Sequence, residues 1–297
     1  MKKFLKGAVG LGAMAATYPF IERRLYHLQR KAVPVPASSP PLTVLHLSDT
    51  HLTARDTKLA RFVARLPDEV GTPDLVLATG DLIEDDGGID PLLEALEGVR
   101  GRLGRFYVLG SHDYYQAKLK PPTRYFTSHR GPSGARAADV DRLEAGLGSQ
   151  GWISLVNRTE MVDAGGGTIR LAGVDDPYLG RERTGHIERG RGEVLAIGLT
   201  HAPDVVSPWL LNGYDLVVAG HTHGGQLRLP FVGAVVTNSS LPAALAAGLH
   251  RVGGGSLHVS MGLGTSKFTP VRFLARPEAT LLELVPEQAT RTGGPSF

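Results

Sequence analysis

The sequence contains no cysteine, which excludes disulfides, thiolate metal sites and a cysteine nucleophile and leaves the redox compartment open. It also lacks an excess of either charge. Its 32 Lys and Arg face 29 Asp and Glu, a net +3, and the bases are interspersed with the acids instead of gathered into a stripe. The electrostatic footprint of a nucleic-acid partner is therefore missing. No apolar run reaches the roughly 20 residues that a spanning helix needs. The run from Gly7 to Ile21, set between Lys2, Lys3, Lys6 and Arg23, Arg24, is shorter and rich in Gly and Ala. Cleavage after Ala13-Met14-Ala15 would leave too short an apolar region for a removed signal peptide. Two readings stay open: a helix packed on the domain surface, or an anchor that brings residues 1–24 to a membrane surface. The expected location is the cytoplasm, free or at the membrane, and no protein partner is indicated.

What is present is an ordinary globular balance over 297 residues, 42% hydrophobic and 21% charged, enough for one large domain with a sizeable core. Lys31 to Pro41 reads KAVPVPASSPP, a Pro-rich spacer. The expected organisation is a hydrophobic N-terminal segment and linker over 1–41, a folded domain over 42–286 and a flexible tail over 287–297. The runs LTVLHL, LVLAT, RFYVLG, TIRLAGV, VLAIGLT, DLVVAG, LHVSMG and ATLLELV read as buried strands. Leu59, Phe62, Val63, Leu66 and Val70 recur at helical spacing, as do Leu92, Leu93, Leu96 and Val99, and Val140, Leu143 and Leu147. Strands alternating with helices predict α/β layering. Tyr114 to Ala138 has no periodicity and predicts a long loop over a site.

The chemistry lies at the strand ends. LTVLHL runs into Ser48-Asp49-Thr50-His51, LVLAT into Gly80-Asp81, RFYVL into Gly110-Ser111-His112-Asp113, VLAIGLT into His201, and DLVVA into Gly220-His221-Thr222-His223-Gly224-Gly225. In open α/β sheets ligands bind beyond the carboxyl ends of strands, so one rim would collect these groups. Imidazole mixed with carboxylate suits Mn, Fe or Zn better than Mg or Ca. Asp81 is the candidate to be shared between two cations. Taken alone, Asp-x-His, Gly-Asp and a lone His201 are each more often caps, turns or structural groups. Gly-His-Thr-His-Gly-Gly is more specific, because two histidines in a glycine-rich turn have little structural use, and the ordered set of five makes chance improbable.

That ordered set resembles the calcineurin-like metallophosphoesterase superfamily, whose motifs run Asp-x-His, Gly-Asp, Gly-Asn-His-Asp, His and Gly-His-x-His. Gly173-Val174-Asp175-Asp176-Pro177, Thr200-His201-Ala202-Pro203-Asp204, GHTHGGQLRLP from Gly220 and GLGTSKFTPVRFLARPEATLLEL from Gly262 look like its bacterial, membrane-associated phosphodiesterase-like subfamily. The resemblance implies a four-layer sandwich, two mixed β-sheets flanked by α-helices, with a binuclear centre at one rim. Two divalent cations would be held, one by Asp49, His51, Asp81 and His223, the other by Asp81, Ser111, His201 and His221. His112 would assist catalysis, with Asp113 orienting it. Ser111 stands where the superfamily usually has Asn, and its hydroxyl is a shorter, poorer ligand than an amide oxygen.

The expected activity is hydrolysis of a phosphodiester, phosphomonoester or pyrophosphate by in-line attack of a hydroxide held between two metals, with His112 protonating the leaving oxygen. One rival is a pyrophosphatase acting on a lipid-linked or sugar-nucleotide substrate at the membrane. The other, from a different class, is a metal-binding scaffold without turnover, favoured by Ser111 and opposed by the intact His112. Arg124, Lys118, Arg181 and Arg183 sit in loops near the rim and are given no site role.

Overall fold

The apolar runs form the centres of two six-stranded mixed sheets in a computed structural model that describes residues 17–118 and 134–287. With strands numbered along the chain, the first sheet contains β1 (His27–Val35), β2 (Leu42–Leu47), β3 (Leu75–Thr79), β4 (Gly104–Val108), β5 (Trp152–Ser154) and β14 (Glu278–Pro286), in the order β1-β14-β2-β3-β4-β5. The second contains β6 (Arg158–Asp163), β7 (Thr168–Gly173), β8 (Glu193–Leu199), β9 (Leu216–Ala219), β12 (Gly248–Val252) and β13 (Gly255–Val259), in the order β12-β13-β9-β8-β7-β6. A short hairpin pairs β10 (Arg228–Leu229) with β11 (Gly233–Ala234).

All five residues of β3 and all four of β9 are buried, as expected for parallel strands covered on both faces. Between the sheets, Val44, Leu77 and Val108 of the first meet Leu171, Ile197 and Val218 of the second in one core. The first sheet's outer face is covered by α1 (Thr57–Val70), α2 (Ile89–Leu96) and α4 (Val140–Ser149). In α1 the buried residues Leu59, Val63 and Leu66 fall at steps of four and three, one stripe of a 3.6-residue period. Truncating Leu66, which is wholly buried, to Ala would cost about 2–5 kcal/mol in cavity and lost transfer energy. The second sheet's outer face carries α5 (Val206–Leu211), whose Trp209 packs edge-on against Tyr214. The molecule is thus the expected four-layer α/β/β/α sandwich.

One boundary differs. The sheet does not begin at Leu42: His27–Val35 is strand β1, parallel to β14 over nine residues. The prolines that read as a spacer are tolerated because β1 is the outermost strand, where the missing N–H of Pro34 interrupts no further ladder. Val33 and Val35 alternate inward and are buried. Ahead of them, residues 17–22 are helical, and the buried Glu22 accepts hydrogen bonds from the amides of Leu274 (2.9 Å) and Ala275 (2.8 Å). The N-terminal run up to Ala16, residues 119–133 of the expected loop over the site, Arg124 among them, and the tail beyond Glu287 lie outside the described residues. Among the described residues, no helix is long and apolar enough to cross a membrane.

Candidate metal centre

Five chain segments converge where β2, β3, β4, β8 and β9 end. The residues just past these strands leave extended backbone abruptly. Asp49, His51, Asp81, His221 and His223 all take left-handed φ values, between 43° and 68°. Non-glycine residues avoid this region at a cost of about 1–2 kcal/mol each. Half of the ten non-glycine residues with positive φ among the described residues are these five, so the strain is concentrated where side chains must be aimed. Glycine provides the room. A Cβ on Gly220 would overlap Ser48 Oγ and Asp49 Oδ2, and one on Gly110 would overlap Asp81 Oδ1.

The donor atoms face one another. Asp81 Oδ2 lies 3.5 Å from His51 Nε2 and 3.4 Å from His201 Nε2. His51 Nε2 is 3.2 Å from His223 Nε2, His201 Nε2 is 3.3 Å from His221 Nδ1, and His223 Nε2 is 3.6 Å from Asp49 Oδ1. Three groups, Asp49–His51–His223, Asp49–Asp81–His201 and His51–Asp81–His112, each bring their donor atoms within 4.8 Å of one another.

The far nitrogens of three of these rings, His51, His201 and His221, donate elsewhere. His201 Nδ1 is 2.8 Å from the carbonyl of Thr79 and His221 Nε2 is 3.2 Å from that of Asn238. A carbonyl only accepts, so each of those nitrogens carries a proton, and in the neutral ring the nitrogen facing the centre presents a lone pair. His51 Nδ1 donates to Glu84 Oε2 at 2.8 Å. Imidazole nitrogens and carboxylate oxygens converging in a buried place fit divalent cations, whose charge would displace the protons these rings otherwise hold.

The electrostatics divide the centre in two. Burial opposes the charge of His51, but the hydrogen bond to Glu84 and the charge of Asp81 outweigh it and push the imidazole up to about 9. Burial likewise opposes ionisation of Asp81, yet His201 and His112 hold its carboxyl well below the usual range. On the other side, burial and the neighbouring His201 push His221 down to about 4, and burial with His51 drives His223 well below its ordinary value. A bound cation would move all of these groups towards their deprotonated, ligating forms.

The predicted residues do not all behave alike. Ser111 opens the short helix α3 (Ser111–Tyr114), and the next amide, that of His112, donates to Asp81 Oδ1 at 2.8 Å. Asp113 does not face the His112 ring. Its carboxylate accepts from the amides of Leu82 (2.8 Å), Ile83 (3.2 Å) and Gly110 (2.9 Å), bracing the β3 and β4 loops together, and burial and the charge of Asp81 push it up to about 6. The carboxylate near His112 belongs to Glu84, whose Oε2 lies 3.1 Å from His112 Nδ1 without hydrogen-bond geometry. Glu84 is wholly buried, and its other oxygen accepts from Ser266 Oγ (2.8 Å) and the amide of Lys267 (2.7 Å). Sequence reasoning missed it, although an acid three residues after Gly80-Asp81 was a signal to follow. It missed Arg272 as well, a fully buried side chain that donates to the carbonyls of Met261 (2.7 Å), Ala275 (3.0 Å) and Gly264 (2.6 Å), with Nη2 3.2 Å from His223 Nδ1.

The profile described as calcineurin-like phosphoesterase matches residues 42–225. The chain is 26% identical to the metallophosphoesterase YkuE of Bacillus subtilis, over 95% of this chain and 96% of that one. It is 26% identical to the phosphodiesterase YaeI of Escherichia coli over 84% of each, and 30% identical to a bovine transmembrane protein with a metallophosphoesterase domain, over 84% of this chain and 54% of that one. Among solved structures, a 5′-nucleotidase precursor from Thermus thermophilus superposes with a TM-score of 0.44 at 15% identity, covering 82% of this chain and 55% of that one.

Proposed function

The chain belongs to the calcineurin-like phosphoesterase family and is a metal-dependent phosphoric ester hydrolase, and we propose that it works with two cations, one held by Asp49, His51, Asp81 and His223, the other by Asp81, Ser111, His201 and His221. The observation that carries this reading is the place of Asp81 Oδ2, a single oxygen about equidistant from His51 Nε2 and His201 Nε2, as expected of a ligand shared by two sites. Mixed nitrogen and oxygen donors favour Mn, Fe or Zn.

The cations, when bound, supply an activated water and neutralise charge on the phosphoryl oxygens. The protein's own groups do the rest. His112 has a side chain 20% exposed, whereas those of His51 and His201 are at 1% and 0%, so of the three imidazoles grouped with Asp81 it is the one that a substrate's leaving oxygen can reach. With Nδ1 beside Glu84, Nε2 is the nitrogen left to give up a proton. Phosphodiesters, phosphomonoesters and pyrophosphates are all compatible with this arrangement.

The test is metal content read beside turnover. The expectation is two cations per chain, loss of bis(p-nitrophenyl) phosphate hydrolysis in chelator, and recovery with Mn. One cation per chain, or hydrolysis that persists in chelator, overturns the reading.

A second reading concerns location. Tyr18, Phe20 and Ile21 of the N-terminal helix are exposed, as are Leu227, Leu229 and Phe231 at the β10–β11 hairpin. The two segments meet at Phe273, which contacts Tyr18 edge-on and bridges to Leu227. This apolar surface supports a membrane-surface position for the N-terminal segment, where a lipid-linked pyrophosphate would be a substrate. Sedimentation with anionic vesicles is the check: Phe231→Asp should weaken binding, and no binding by the unaltered protein removes this reading.

A further inference from the structure

A cavity of about 280 Å³ adjoins the metal centre and shares His51 with it; its wall includes Arg23, Arg24, Lys267, Thr53 and Thr265. This is below the size that encloses a whole drug-like ligand, about 300–1,000 Å³, and suits one compact group and part of what carries it. Three cationic side chains line it and a single acid, Asp56. That acid is already engaged, accepting from Thr53 Oγ1 (2.5 Å) and the Thr53 amide (3.2 Å). Lys267 Nζ is paired with Asp85 at 2.9 Å. Arg23 and Arg24 have no ion-pair partner among the described residues, and Arg23 Nε is buried without a hydrogen-bond partner. Buried donors are rarely left so, because the desolvation is not repaid, and a guanidinium beside a polar cavity is matched by a phosphate or carboxylate oxygen.

Both walls are fixed. The arginines follow directly on Glu22, whose clamp on the Leu274 and Ala275 amides holds the end of the N-terminal helix, and strand β1 begins a few residues later. The opposite wall, residues 264–270, is tied to the metal centre itself. The Gly264 amide donates to the carbonyl of Asp49 at 2.6 Å and the Lys267 amide to Glu84 Oε1 at 2.7 Å. A group bound here would therefore sit at a set position relative to the bond that is cut. In the sequence alone Arg23 and Arg24 read as the basic flank of an apolar segment; the fold turns them towards this cavity.

We propose that this cavity is an anion subsite for a second phosphate group of the substrate, beyond the one at the metals, so that the preferred substrates carry at least two phosphates. The inference rests on the metal-centre reading above. Two chromogenic substrates that differ only in that group test it: p-nitrophenyl thymidine 5′-phosphate and the same compound bearing a 3′-phosphate. The unaltered protein should favour the second in kcat/KM. The double substitution Arg23→Ala, Arg24→Ala should collapse that preference, about ten- to hundredfold, through KM, while Arg23→Lys, Arg24→Lys retains part of it. A lost preference without a rise in KM, or one unchanged in the alanine variant, overturns the subsite while leaving the phosphoesterase reading intact. Hydrolysis of neither substrate by the Mn-loaded unaltered protein overturns both.

Discussion

The two sheets contribute unlike halves to the centre. The first delivers Asp49, His51 and Asp81 from the ends of β2 and β3, with Glu84 behind them; the second delivers only imidazoles, His201, His221 and His223, from the ends of β8 and β9. Around the carboxylates an imidazole is held charged, His51 up to about 9, whereas His221, among imidazoles, is pushed down to about 4. The first half would thus supply the negative charge that offsets bound cations, and most of the second neutral donors. His201 stands between them: burial opposes its protonation, yet Asp81 raises it well above the ordinary value. Charge lost from the first half cannot be replaced by water, while a missing neutral donor can be, in part.

That contrast breaks most directly at Asp81. Asp81→Asn keeps the shape and removes the charge proposed to be shared, and should lower kcat/KM by roughly 10³-fold or more, with metal content falling in parallel. His221→Ala should lose less, and equal losses in the two variants, measured by metal analysis and initial rates, would abolish the distinction between the halves. Next in size is His112→Asn, expected to cost at least roughly 10²-fold on a substrate with a poor leaving group while metal content holds; an unchanged rate removes the proton-donor role. The smallest effect belongs to Glu84→Gln, at about 10- to 100-fold in metal affinity or activity. Because Glu84 Oε2 faces both His51 and His112, a metal titration beside a pH–rate profile separates the two routes. A shifted acidic or basic limb with unaltered metal affinity points to His112, and the reverse to His51.

Much of this architecture was legible in the chain. The runs LTVLHL and LVLAT coincide with β2 and β3, because strands buried on both faces must be continuously apolar. The candidate ligands could be picked out because each follows such a run at once. What escaped was set by tertiary position. Edge strand β1 carries prolines that a central strand would reject, and nothing local distinguishes an edge strand from a spacer. Glu84, Arg272 and Asn238 act through groups 33, 49 and 17 residues away, contacts with no sequence periodicity. Asp113 resembles a partner for His112 in sequence, but its carboxylate turns to three backbone amides once the β3 and β4 loops are in place.

Strand β1 also decides where the chain can be shortened. Its nine residues shield one edge of β14, which continues by its other edge into β2 and so into the ligand-bearing strands. Cutting at the end of the Pro-rich stretch would strip that cover and leave a long apolar edge open to pairing with other molecules. Insolubility of such a fragment would then report a broken sheet, not a lost lipid anchor. Trimming meant to separate the two should stop ahead of Glu22, which keeps the clamp on Leu274 and Ala275 as well as the edge strand.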